Sequence, residues 1–165
     1  MRAGSGKRKR VEPEQSGDPE AARVAGIALL ARRDFASGEL RRRLEEHGFE
    51  AAAVASALAA LVAERALDDA RFAQSYITYH AGRGQGPVRI GADLAALGLT
   101  PGEIDTALAA GPDWRALARD VCVRKFGAEA PESWTEKSRQ ARFLQYRGFS
   151  SDHIRFALGS DPGIE

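Results

Sequence analysis

The sequence predicts an all-α fold, arranged as an elongated array of three tandem three-helix repeats. Five apolar or glycine positions recur with a period of 50 residues, and no gap interrupts their register. The chain is rich in Ala, Leu, Arg and Glu, which favour helix. No segment alternates apolar and polar residues with the period of two that indicates a half-buried strand.

The repeat follows the pattern L-x3-G-[FL]-x4-[VI]-x3-L. Its leucine and glycine are one helical turn apart, and glycine suits the left-handed backbone that ends many helices. The branched residue and the last leucine share one face of the next helix. A pair this short cannot bury its apolar face alone, so copies must pack on each other or on a third helix. Apolar stripes ahead of each pair predict a third helix in every repeat, which covers the pair. The positions in register are Leu44, Leu94 and Leu144; Gly48, Gly98 and Gly148; Phe49, Leu99 and Phe149; Val54, Ile104 and Ile154; and Leu58, Leu108 and Leu158.

Residues 1–21 are predicted to form a disordered tail. Gly and Pro are frequent there, apolar periodicity is absent, and five basic residues at positions 1–10 precede four acids at positions 11–20. The first repeat is assigned to residues 22–66. Ser37 is expected to be the N-cap of its second helix.

The second repeat is assigned to residues 67–111. At its start Asp68 and Asp69 offer N-caps, and their negative charge suits the helix dipole. After the break at Gly82–Gly86, Pro87 is expected at the first position of the next helix.

The third repeat is assigned to residues 112–160. A longer loop at Gly127–Ser133 is expected to separate its first two helices, and Thr135 is expected to cap the second. Gly48 and Gly148 are both expected to have positive φ just past a helix.

The composition argues against several classes of protein. Cys122 is the only cysteine, and the three histidines lie far apart, so we expect no disulfide, no metal site and no cofactor. No apolar run approaches the roughly 20 residues that a membrane span needs. The basic N-terminus is not followed by the apolar segment of a secretion signal. We therefore expect a monomeric cytoplasmic protein.

Catalysis finds little support in the sequence. The adjacent Asp68 and Asp69 point in different directions, so they are better explained as helix caps than as a catalytic pair. The glycine-rich segment Gly82–Gly86 lacks the Gly-Lys-Ser/Thr ending of a P-loop and follows no strand. An alternative use is that its backbone binds an anion at the helix start near Pro87. We predict that the protein is not an enzyme.

Arginines on helix surfaces are stronger candidates for binding a partner. If Leu40 and Leu44 face the core, Arg41 and Arg42 between them must point outward. Arg142 occupies the position of Arg42 in repeat three. The alternative is an ordinary solvated surface. The predicted partner-binding residues are Arg41, Arg42, Arg43, Arg83, Arg89, Arg139, Arg142 and Arg147.

Six aromatic side chains could stack on nucleic-acid bases, but their helical spacing favours core positions. They are Phe72, Tyr76, Tyr79, Trp114, Phe126 and Trp134.

Four segments carry a family resemblance: LDDARFA at 67–73, G-x-GP-x-RI at 84–90, DWRALAR at 113–119 and RFL-x-YRG at 142–148. Together they resemble the RecX regulatory family, over about residues 22–160. The resemblance implies tandem three-helix units that bind the RecA recombinase filament on DNA and inhibit its ATPase, strand-exchange and coprotease activities. The sequence departs from the family at Gln85, where relatives often have an aromatic residue. It departs again at Gly91 and Asp93, where they often have basic or amide residues.

Two functional hypotheses follow. The first is a stoichiometric RecA inhibitor that presents a repeated face to a helical filament, with single-stranded DNA as a further candidate partner. The second is a helical DNA-binding protein that uses basic ends on phosphates. Residues 21–43 and 113–147 are net basic, whereas residues 50–110 are net acidic. Steep salt dependence would favour the second hypothesis.

The elongated array gives the first testable prediction. Small-angle X-ray scattering should give a pair-distance distribution with a long tail, because each repeat contacts mainly its neighbours. A symmetric distribution typical of a compact globule would contradict the predicted arrangement.

Overall fold

The structure, a computed structural model, describes residues 10–159. Within that range a short 3-10 helix at Pro13–Gln15 precedes nine α-helices, and there is no strand. The predicted all-α class is confirmed, with three helices for each repeat. The α-helices are α1 (Pro19–Leu30), α2 (Ser37–Glu46), α3 (Ala51–Ala63), α4 (Asp69–Gly82), α5 (Pro87–Ala96), α6 (Pro101–Ala109), α7 (Trp114–Phe126), α8 (Trp134–Arg147) and α9 (Ser151–Ala157).

The chain divides into two compact units. Of the described residues, unit 1 holds 10–72 and Leu97–Leu99, and unit 2 holds Ala73–Ala96 and 100–159. The repeat boundaries assigned from the sequence, at 22–66, 67–111 and 112–160, remain predictions.

Each unit has its own apolar core. In unit 1, α1 and α2 pack on α3 around Leu40, Leu44 and Leu61, which solvent does not reach. In unit 2, α7 packs on α8 and α9 around Ala118 and Leu144, which are equally inaccessible. The register leucines of α2 and α8 therefore face the core, as the repeat pattern predicts.

Two of the N-caps expected from the sequence are wrong. The residue before α2 is Ala36, which offers no side-chain cap, and Ser37 is already helical. The backbone N–H of Ser37 instead donates to Asp69 Oδ1 at 2.7 Å. In repeat three, Ser133 rather than Thr135 caps α8, because its hydroxyl accepts from the Glu136 N–H at 3.1 Å.

Most other predicted helix ends are confirmed, although Asp69 is already helical and accepts from Ser37 instead of capping α4. Asp68 accepts from the Arg71 N–H at 3.0 Å at the start of α4, and α5 begins at Pro87. Gly48 and Gly148 have φ of +103° and +92°. Their backbone conformation is one that L side chains rarely adopt, so glycine is required at both turns.

Residues 10–21 correct the expectation of a disordered tail. The 3-10 helix lies in this segment, α1 begins at Pro19, and the Asp18 carboxylate caps α1 through the Glu20 N–H at 2.9 Å. The Val11 N–H donates to the His47 carbonyl at 2.8 Å. Those backbone bonds outweigh the low apolar content from which disorder was predicted. Residues 1–9 of the predicted tail lie outside the described residues.

Replacement of Gly148 tests how tightly its turn is packed. A Cβ added there would lie 2.8 Å from the Arg89 backbone nitrogen, in addition to the strain of positive φ. We expect Gly148→Ala to lower the free energy of unfolding by about 3 kcal/mol or more. Chemical denaturation followed by circular dichroism measures this change.

Two other glycines provide matched controls for Gly148→Ala. Gly159 also has positive φ, at +68°, but nothing lies within 4 Å of an added Cβ, so Gly159→Ala should cost only about 1 kcal/mol. Gly102 is helical and equally open, so Gly102→Ala should be neutral or stabilising by up to about 1 kcal/mol. Equal losses for Gly148→Ala and Gly159→Ala would contradict close packing at Gly148.

Candidate partner-binding surface

The burial of two leucines on α2 determines which of its arginines face solvent. Leu40 and Leu44 are fully buried, and Arg41 and Arg42 between them are exposed. Arg43 is half-buried and forms an ion pair with Glu46, with Nη1 and Oε2 3.6 Å apart. The outward direction predicted for Arg41 and Arg42 is confirmed.

The exposed face of α8 combines arginines with an aromatic ring. Arg139, Arg142 and Tyr146 are spaced at i, i+3 and i+7, which places them on one face of the helix. All three are exposed, and Tyr146 exposes 77% of its surface. The Arg139 guanidinium lies 5.5 Å from the centre of the Phe126 ring.

Three further candidate arginines gather at one backbone junction of unit 2. The Gly86 N–H donates to the Arg147 carbonyl at 2.7 Å, which ties the start of α5 to the end of α8. Arg147 Nη1 in turn donates to the Arg83 carbonyl at 3.3 Å. Arg89 is exposed, and its backbone lies directly against Gly148. Arg83, Arg89 and Arg147 therefore form one group.

The same junction removes the alternative that the start of α5 binds an anion. The Gly86 and Val88 N–H groups donate to the carbonyls of Arg147 and Gly148, at 2.7 and 2.9 Å. Backbone donors used in this way cannot also cradle an anion. The glycine-rich segment instead lets two backbone segments approach closely, because a Cβ at Gly86 would meet the Gly148 carbonyl.

Two of the aromatic residues expected in the core are exposed. Tyr79 exposes 59% of its surface, and Trp134 exposes 81%. The Tyr79 hydroxyl accepts from Arg83 Nη1 at 2.9 Å, and the guanidinium lies 5.4 Å from the ring centre. The sequence holds a signal for this exposure, since Tyr79 follows buried Ile77 by two residues, as Tyr146 follows Leu144. That separation of about 200° places a side chain on the opposite helix face.

Gly91 and Asp93, where the sequence departs from the family pattern, both have structural roles within repeat two. The Tyr76 hydroxyl donates to Asp93 Oδ2 at 3.3 Å, and burial, with the Asp93 charge, raises the pKa of Tyr76. A Cβ at Gly91 would sit 3.5 Å from the Ile104 and Leu108 side chains, so α5 packs closely on α6. Of the predicted partner-binding arginines, Arg89 is the one that lies on α5.

The predicted arginines thus fall into separate groups. Arg41, Arg42 and Arg43 belong to unit 1, and the other five belong to unit 2. Within unit 2, Arg139 and Arg142 share the exposed face of α8, whereas Arg83, Arg89 and Arg147 gather at the junction of α5 and α8.

The aspartate pair and the cysteine within residues 10–159 are engaged in hydrogen bonds within the protein. No group of three or more His, Cys, Asp or Glu side chains in this part of the chain could hold a metal ion. Asp68 and Asp69 are engaged as backbone acceptors, and burial raises the pKa of the Cys122 thiol, which disfavours the reactive thiolate. None of the helices described is long and apolar enough to span a membrane.

Three family models match the chain in sequence order. The models of the first, second and third three-helix domains of RecX match residues 22–61, 68–108 and 113–158. The chain belongs to the RecX family. This assignment confirms the resemblance found in the sequence and the division into three-helix repeats.

Relatives named regulatory protein RecX agree with this assignment. The protein of Halorhodospira halophila is 44% identical over 142 residues, which cover 86% of this chain and 88% of the relative. A Pseudomonas fluorescens protein is 40% identical over 135 residues, with 81% and 87% covered. The Vibrio vulnificus protein is 38% identical over 136 residues, with 82% and 89% covered. Membership of a regulatory family points to a protein that is not an enzyme.

Solved RecX structures share the fold. The crystal structure of RecX from Lactobacillus salivarius superposes with a TM-score of 0.75 at 17% identity, and the match covers 86% of this chain and 95% of that one. A crystal structure of regulatory protein RecX gives a TM-score of 0.70 at 20% identity, covering 87% and 72%. At these identities the likeness shows the fold alone.

Arg147, at the end of α8, and Arg142, on its exposed face, should contribute differently to the free energy of unfolding. Arg147→Gln removes the guanidinium that donates to the Arg83 carbonyl, so we expect a loss of about 1 kcal/mol in the free energy of unfolding. Arg142→Gln changes an exposed side chain and should stay within about 0.5 kcal/mol of the parent. Urea denaturation of both variants compares them, and equal stabilities would contradict a structural role for Arg147.

Proposed function

We propose that the protein binds the RecA recombinase filament on DNA and inhibits its ATPase, strand-exchange and coprotease activities. It acts stoichiometrically, through contact with filament subunits, and none of its residues carries out a chemical step. Membership of the RecX regulatory family supports the proposal, and so do exposed arginines on the second helices of repeats one and three.

The observation that carries the proposal is the equivalence of Arg42 and Arg142. They lie 100 residues apart at the same repeat position, each two residues before a fully buried leucine, and both are exposed. A filament offers the same protein surface many times, so two equivalent contacts on one chain suit it. When one contact forms, the other faces a high effective concentration of its target, which raises the combined affinity.

Direct binding to single-stranded DNA is a second candidate function, and the exposed aromatics favour it. Tyr79 beside Arg83 and Tyr146 beside Arg142 combine a ring with a guanidinium, the pairing on which bases stack above a phosphate backbone. This function predicts binding to single-stranded DNA without RecA and a steep fall of affinity with salt.

Reversal of the two equivalent arginines tests the proposed inhibition. The parent protein should inhibit RecA ATP hydrolysis on single-stranded DNA at less than one molecule per RecA subunit, because one chain can contact several subunits. Arg42→Glu and Arg142→Glu should each raise the protein concentration needed for inhibition. If the two contacts are independent, the fold-increase in the double variant should equal the product of the two single fold-increases. The measurement is the inhibitor concentration that halves the ATPase rate.

A control double variant separates specific contact from overall charge. Arg32→Glu with Arg119→Glu changes the net charge by the same amount at exposed positions outside the predicted set. This variant should inhibit like the parent. If Arg42→Glu/Arg142→Glu folds normally and also inhibits like the parent, these arginines are not the contact. If both double variants fail equally, net charge rather than position decides binding.

A further inference from the structure

The turn that ends the second helix of each repeat is covered by another segment of the chain. In unit 2 the covered turn is Arg147–Gly148 and the covering segment is the start of α5. The Gly86 and Val88 N–H groups donate to the two carbonyls of that turn, at 2.7 and 2.9 Å. Here the second helix of one repeat therefore meets the second helix of the repeat that follows.

The corresponding turn of repeat two is covered in the same way. It lies at Leu97–Gly98, within unit 1, and the start of α2 lies against it. A Cβ added at Gly38 would be 2.8 Å from the Leu97 carbonyl oxygen and 2.9 Å from Gly98 Cα. Only glycine permits such an approach, so this contact is also one of backbone on backbone.

Repeat one has the same turn, at His47–Gly48, where the two later repeats receive the start of the preceding repeat's second helix. Residues 10–18 take that place. The Val11 N–H donates to the His47 carbonyl at 2.8 Å, and the Val11 Cγ1 atom would lie 3.2 Å from a Cβ at Gly48. His47 stands 100 positions before Arg147, so the same carbonyl of the repeat accepts a hydrogen bond from the segment that covers it.

A second, independent feature ties residues 10–18 to this turn. In repeats two and three the residue before the third helix, Thr100 or Ser150, forms a capping box that satisfies its own backbone N–H. The equivalent residue in repeat one is Glu50, and Ala53 stands where the box needs a polar side chain. The Glu50 N–H donates instead to the Ser16 carbonyl at 2.8 Å.

We propose that residues 10–18 are a built-in cap of repeat one, which docks on the turn surface formed by residues 47–50, the surface that in repeats two and three receives the preceding repeat. The cap supplies a donor to the His47 carbonyl and an acceptor to the Glu50 N–H. It lies outside the matched family region, which begins at residue 22.

A proline substitution in the full-length chain tests the cap. Val11→Pro removes the N–H that donates to the His47 carbonyl. Hydrogen exchange at the Glu50 amide, followed by NMR, should then become about tenfold faster or more, because the segment that holds its acceptor opens locally. The Thr100 and Ser150 amides, which rely on their own capping boxes, should exchange at the parent rate.

The neighbouring residue provides the matched control. Glu12 already has φ of −65°, the value that proline imposes, and Val11 keeps its N–H in Glu12→Pro. This variant should retain the parent exchange rate at Glu50. An unchanged Glu50 rate in Val11→Pro, or the same acceleration in Glu12→Pro, would overturn the proposal.

The unmodified protein gives a further test if Val11→Pro does not fold. The Val11 and Glu50 amides should both exchange slowly in the parent chain, as hydrogen-bonded groups do. Exchange of both at the rate of an unstructured peptide would equally overturn the cap. None of these measurements involves RecA or DNA, so their outcome is independent of the proposed inhibition.

Discussion

The fold depends on a backbone contact at the turn that ends the second helix of each repeat. The glycines of these turns, Gly48, Gly98 and Gly148, have φ of +103°, +98° and +92°. Each turn also has another stretch of backbone against it, with too little room for a side chain at Gly98 or Gly148. The leucine four residues earlier is fully buried in all three repeats. The turn therefore fixes the end of the helix and, through it, the face that the helix buries.

The distribution of arginines follows from that constraint. Once Leu44 and Leu144 are fixed in the core, positions on the opposite face of α2 and α8 must meet solvent, and Arg42 and Arg142 occupy them. Arg147 lies at the turn itself, and its guanidinium donates to the Arg83 carbonyl. Residues of one type therefore differ in place: Arg147 holds the junction, whereas Arg42 and Arg142 are exposed, and we propose that these two contact a partner.

Repeat one meets the constraint through residues 10–18. Its turn has the same carbonyl to satisfy as repeat three, and it lacks the capping box that the other two repeats have. Residues 10–18 supply both groups through backbone atoms, so their order does not require the apolar side chains from which order is usually predicted. This explains why composition alone indicated disorder over a segment that is packed against α2 and α3.

The sequence by itself determined the helices, the glycine turns and the outward direction of Arg41, Arg42 and Arg142, because these depend on spacing within one helix and on the conformational freedom of glycine. Tertiary structure alone decided where unpaired backbone groups find partners. Ser37 looked like an N-cap, but its N–H is satisfied by Asp69, which lies 32 residues away in the sequence. Exposure of Trp134, and the gathering of Arg83, Arg89 and Arg147, also depend on which helices pack beside them. Such contacts join residues distant in sequence, and helical periodicity carries no information about them.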